Sequence, residues 1–161
     1  MKKLLIVTIV LFAGTVFAQE TEVPTVVKAK FQELYPKAEE VNWDVEGSNF
    51  EVSFESEEDV DISLLFDGNG NILETETEVE KKDLPAAVKE SLEKDFSDWE
   101  ITELAKIVSD GKTIYEAELE KGEKQIDAIL SPDGKLVKKT SKETKHQKNK
   151  LMQKKKKRKP K

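Results

Sequence analysis

The chain has no cysteine. That excludes disulfides, a thiolate nucleophile, cysteine-ligated metals and a lipid-modified cysteine anchor together. It has a single histidine, His146, set in a run of lysines, so a Ser-His-Asp arrangement and a histidine metal site both lack their central member. Aromatic residues are 7% of the chain and none falls in the basic C-terminal run. A basic run without rings to stack on bases is a poor single-strand binder, and no nucleic-acid partner is expected. Long hydrophobic runs are also missing: the one from Leu4 to Phe12 is shorter than the about 20 residues that span a bilayer.

That short run does have a reading. Lys2 and Lys3 precede it and Val16-Phe17-Ala18 follow it, giving the basic, apolar and small-residue regions of a secretory leader. The leader is assigned to 1–18 with cleavage after Ala18, and an uncleaved anchor is the alternative. The expected location is periplasmic or extracellular, in a bacterium.

Charge is abundant but segregated. Between Gln19 and Gly134 there are 32 acidic and 11 basic side chains, whereas Lys135 to Lys161 holds 14 basic and one acidic. An acidic body with a basic tail bears on partners more than on fold.

The body says one thing twice. VPTVVKAKFQELYP from Val23 answers LPAAVKESLEKDFS from Leu84, with Val27 against Val88, Phe31 against Leu92 and Tyr35 against Phe96. FEVSF from Phe50 matches YEAEL from Tyr115, and DISLLFDGNGNIL from Asp61 matches QIDAILSPDGKLV from Gln125. A period near sixty residues indicates a tandem of small units rather than a solenoid. A unit that small buries only about 60% of its unfolded surface, so the two are expected to share a core. The division reads as 19–80 for the first repeat, 81–140 for the second and 141–161 for a disordered basic tail.

Each repeat opens with a helix. Val23, Val27, Phe31 and Leu34 follow helical spacing and Pro36 ends the run; Leu84, Val88, Leu92 and Phe96 recur every four residues. Strands follow. Phe50, Val52 and Phe54 alternate with Glu51, Ser53 and Glu55, and Ile62, Leu64 and Phe66 alternate with Asp61 and Ser63. Period-two patterning with one wet side indicates an antiparallel sheet. Turns fall at Gly47-Ser48, Glu57-Glu58, Asp67-Gly68-Asn69-Gly70, Asp110-Gly111, Lys121-Gly122 and Pro132-Asp133-Gly134. The fold class is α+β: two tandem units of one helix and four antiparallel strands.

Candidate chemistry is thin. Asp67, Asn69 and Asn71 have the alternate oxygen spacing of a calcium loop, with Glu78 at the twelfth position, but Ile72 stands where the loop glycine belongs. The second copy replaces these oxygens with Ser131, Asp133 and Lys135. A hairpin in which Gly68 and Gly70 take positive φ is the better reading, and neither metal nor cofactor is expected. Acidic pairs could run glycoside hydrolysis in principle, yet among so many acids a pair carries little information.

The wet strand face is the candidate binding surface. Glu51, Ser53, Glu55 and Asp61 in one copy, with Glu116 and Glu118 in the other, would form an acidic platform able to hold a cationic protein or peptide. Solubility alone would also place polar residues there. Trp99, between Asp98 and Glu100, is expected to be the exposed tryptophan, and Trp43 the packed one. The lysine tail could contact an anionic envelope surface or the chain's own acidic body.

Taken in order and doubled, the V-P helix start, the Y-P helix end, V-x-W, the aromatic-led strand FEVSF and the D-G-N-G turn resemble the PepSY-like proteins with a beta-lactamase-inhibitor-like fold. These are secreted proteins of Bacteroidetes-type bacteria, and the resemblance runs from about Val23 to Lys139. It implies paired helix-plus-four-strand units whose sheets line a concave surface, and a role in restraining an enzyme such as a peptidase. The second copy departs from the pattern with Phe96-Ser97 in place of Y-P, and the lysine tail lies outside it. The expected protein is a non-enzymatic envelope binder, with a scaffold or stress role (a cation-buffering acidic face and a tethering tail) as the alternative.

Overall fold

The computed structural model describes residues 22–142. The leader, with its cleavage after Ala18, and the tail from residue 143, His146 included, lie outside the described residues.

Helix α1 spans Thr25–Leu34 and is followed by strands β1 (Glu39–Glu46), β2 (Asn49–Glu55), β3 (Asp61–Phe66) and β4 (Ile72–Glu78). A 3-10 turn at Lys81–Asp83 leads to α2 (Ala86–Asp95), then β5 (Glu100–Ser109), β6 (Lys112–Lys121), β7 (Lys124–Leu130) and β8 (Leu136–Lys142). Pro24 and Pro85 begin the helices in the same way. Each offers its carbonyl to two amides, Val27 and Lys28 in one case and Val88 and Lys89 in the other, and its own missing N–H lies where no helical bond is needed.

The eight strands of the described residues form one antiparallel sheet in the order β1 to β8. The units join through β4 and β5, where Glu74 to Glu78 pair with Ser109 to Ala105. Both helices pack on the same face. Phe50, Val52, Phe54, Leu64 and Phe66 close under Val27 and Phe31, and Leu104, Ala117, Leu119, Ile126, Ala128 and Leu130 close under Val88 and Leu92.

Three expectations are corrected. The repeats share a sheet and not a core: the two apolar clusters are separate, because main-chain pairing at the seam joins the units without interdigitating side chains. Leu34 is 42% exposed, and Tyr35 takes its place over Phe54 at 4.5 Å between ring centroids, since intervals of four from Val27 and Phe31 lead to 35 and not 34. Ser141 and Lys142, assigned to the tail, complete β8 by pairing with Ile126 and Gln125; a sheet edge needs backbone partners, not apolar side chains.

Candidate functional site

Strand alternation sends every second side chain of the sheet away from the helices, and register decides which of these become neighbours. On β2 the outward set is Glu51, Ser53 and Glu55, which pair with Leu65, Ser63 and Asp61 of β3; the hydroxyls of Ser53 and Ser63 are hydrogen-bonded at 2.9 Å. Ser63 and Leu65 pair in turn with Glu76 and Glu74 of β4. Across the seam Glu76 pairs with Ile107 and Glu78 with Ala105. On β6, Glu116 lies opposite Ala105 and Glu118 opposite Glu103. The sheet thus brings together Glu51, Ser53, Glu55, Asp61, Glu116 and Glu118, all expected from the sequence. It adds Glu74, Glu76, Glu78 and Glu103, which close the gap between the two groups.

The centre of this face is not flat. One depression of about 120 Å³ is walled by Glu76, Glu103, Ala105, Glu116 and Glu118. A second of similar size, about 120 Å³, adjoins it and includes Ser53, Asp61, Ser63, Glu76 and Glu78. Ala105 lines both depressions and is 3% exposed although neither described helix packs on this side; Ile107, two residues along β5, is 6% exposed. Carboxylates ring a buried alanine at the seam.

The electrostatics follow from that crowding. Glu76 is pushed up to about 7, first by burial and then by Glu116, Glu103, Glu74 and Glu51. Glu51 is raised by burial and by Glu46, Asp44 and Glu74, and Glu78 by burial and by Asp61 and Glu103. Glu55 is raised by loss of hydration and by the charges of Glu40, Asp59, Asp61 and Glu39. Glu118 is held in place, its Oε1 accepting from Gln125 Nε2 and, at 3.3 Å, from Thr102 Oγ1. Like charges forced together in a partly dehydrated cup favour whatever brings compensating positive charge.

Trp99 is not part of this face. It is half-buried against the second core with the Lys121 ammonium 6.0 Å from its ring centroid; Trp43, which packs edge-on against Phe31 at 5.5 Å, is half-buried as well. Its flanking acids do not decide where the ring goes; the turn after Phe96 does, with Trp99 N–H donating to the Phe96 carbonyl at 2.9 Å.

The Asp67 loop is a turn with its oxygens already engaged. Asp67 Oδ1 accepts from the Asn69 amide at 2.8 Å and the Asn71 amide at 2.9 Å, and Oδ2 from Asn71 Nδ2 at 2.8 Å. These donors draw Asp67 below the ordinary carboxylate range. Gly70 takes positive φ, at 86°, and Gly68 does not. Among the described residues no group of three or more histidine or acidic side chains is arranged to hold a metal ion.

A larger cleft, about 430 Å³, lies beyond the end of α1, where Leu34, Tyr35 and Pro36 line it with Val60 and Ile62. Four charged residues, Lys37, Glu57, Glu58 and Glu78, also line it, and of these Lys37 and Glu57 pair at 2.5 Å.

Comparison with known proteins agrees with this architecture. The family model described as "Putative beta-lactamase-inhibitor-like, PepSY-like" matches residues 15–74 and again 49–138. Among solved structures, a BLIP-like protein from Bacteroides fragilis is similar at a TM-score of 0.64 and 22% identity, covering 78% of this chain and 91% of its own. A DUF2874 family protein from Bacteroides uniformis reaches 0.68 at 18% identity, over 74% of this chain and 90% of its own. A Bacteroides eggerthii protein described as periplasmic reaches 0.69 at 17% identity, over 75% and 90%. A search of curated proteins finds no match. No helix among the described residues is long and apolar enough to cross a membrane.

Proposed function

This chain belongs to the PepSY-like, beta-lactamase-inhibitor-like family, and from that premise we propose that it is a non-enzymatic envelope protein whose open sheet face docks a cationic protein or peptide. The observation that carries the reading is the ring of Glu76, Glu103, Glu116 and Glu118 around the buried Ala105. Depressions of about 120 Å³ fall well below the roughly 300–1,000 Å³ of small-molecule sites. They suit the head of one inserted lysine or arginine side chain, with the flanking acidic face receiving the rest of a basic surface. The inhibitor-like description of the family supports a protein partner, and restraint of an enzyme such as a peptidase is the specific form proposed here. The location proposed is the periplasm or the cell exterior.

The test is capture from envelope extract, comparing the wild-type chain with the triple variant Glu76→Gln, Glu103→Gln and Glu116→Gln. Partners held by the wild type are expected to be lost from the variant, whose circular dichroism stays native, and to elute from the wild type as salt rises. The same partners held equally by both proteins would overturn the reading.

A further inference from the structure

Among the described residues the sheet ends in two strands with a neighbour on one side only, β1 and β8. The seam inside the chain shows what such strands do. There the last strand of one unit, β4, pairs antiparallel with the first strand of the next, β5. By the repeat, β8 is the counterpart of β4 and β1 the counterpart of β5. The outer edges are therefore the same two surfaces that meet at the seam, left without each other.

We propose that these edges pair between copies of the chain, β8 of one against β1 of the next, so that copies join head to tail in a continued sheet. Two further observations carry this. The register transposes without conflict: Leu65 and Ile129 pair with Glu74 and Lys138, and Val52 and Ala117 pair with Trp43 and Leu104. The seam pair Glu76 with Ile107 then maps onto Thr140 with Glu46, which leaves Lys138 diagonal to Glu46 and within reach of it. The edges also carry opposite charge. β1 holds Glu39, Glu40, Asp44 and Glu46 with no basic residue, and β8 holds Lys138 and Lys139 with no acidic one. Two β1 edges, or two β8 edges, would repel; a β8 edge and a β1 edge attract. Such a contact is heterologous, so it closes into a ring or continues as a fibre.

The lack of cysteine makes the test clean. The chain from Gln19 to Lys161, which carries every described residue, is made as Glu46→Cys and separately as Thr140→Cys. Under mild oxidation the mixture is expected to give disulfide dimers containing one of each, in excess over like-with-like dimers. Sedimentation of the unmodified chain should show species above monomer that grow with concentration. The double reversal Lys138→Glu with Lys139→Glu should weaken association about tenfold, and adding Asp44→Lys with Glu46→Lys to the same chain should restore it. A monomer at every concentration, or dimers that link only like with like, would overturn the proposal and leave these edges to strands of other proteins.

Discussion

Ser91 on α2 donates a 2.7 Å hydrogen bond to the carbonyl oxygen of Gly134 in the β7–β8 turn, fastening the second helix to the far end of its own sheet. The turn can come that close because residue 134 has no side chain: a Cβ there would fall on the carbonyl oxygen of Ala87 and lie 2.7 Å from Ser91 Oγ. The first unit has the same contact in looser form, with Gly70 facing the Val26 carbonyl at 3.5 Å from an added Cβ.

The two glycines should therefore answer differently to the same change. Both have positive φ, 86° at Gly70 and 80° at Gly134, so alanine costs about 1–2 kcal/mol of backbone strain at either position. At Gly134 overpacking against α2 adds a further ~1–3 kcal/mol. Urea denaturation of Gly70→Ala and Gly134→Ala checks this, and equal losses would contradict the tighter second contact.

Separate cores predict additive losses. Val27 and Val88 are each 0% exposed but belong to different clusters. Val27→Ala and Val88→Ala should each cost about 2 kcal/mol, and the double variant should equal their sum within about 0.5 kcal/mol. Coupling beyond that, read from chemical denaturation, would indicate a shared core.

Stability should fall as pH rises through the carboxylate range. Glu76 has its pKa raised from an ordinary 4.5 to about 7, so between those values the folded chain keeps a proton that the unfolded chain has released. Its stabilising effect is complete below about pH 4.5 and lost above about 7. Glu51, Glu55 and Glu78 are shifted in the same direction. Glu76→Gln should flatten the decline and stabilise the chain at pH 8 by about 1 kcal/mol, a figure reduced for its half-exposed, solvent-screened position. Melting temperatures from pH 4 to 8 measure it.

Docking of positive charge on the same face should release protons. A lysine-rich peptide that binds beside Glu76 lowers the pKa of that carboxyl, so affinity should rise several-fold between pH 5.5 and 8 and the binding enthalpy should depend on the buffer. Titration calorimetry of the wild-type chain against Glu76→Gln checks this; a pH response that survives the substitution would assign the effect elsewhere.

Much of the fold was legible because local chemistry and global pattern agree. Leu84, Val88, Leu92 and Phe96 are all buried at the spacing that announces them, and the turns lie where glycine and asparagine mark them. The repeat itself speaks against positive φ at Gly68: Pro132 occupies the matching place in the second copy, and a proline fixed near φ −65° cannot stand where positive φ is required. Leu34 misled because an apolar residue one position off the stripe looks much like one on it.

The seam was harder to read. Ile72-Leu73-Glu74-Thr75-Glu76-Thr77-Glu78 alternates plainly, but neither of its faces is apolar, so alternation alone does not say which side the helices cover.

What the sequence by itself determined is the doubled helix-and-strand plan, the antiparallel pairing within each unit and the acidic sign of the exposed strand residues, because these follow from spacing and composition along short stretches. Tertiary structure alone decided that β4 pairs with β5, and with it the gathering of Glu76, Glu103, Glu116 and Glu118 around a buried alanine. That contact joins strands from different repeats through backbone hydrogen bonds, and backbone groups are the same at every residue, so no side-chain pattern records it.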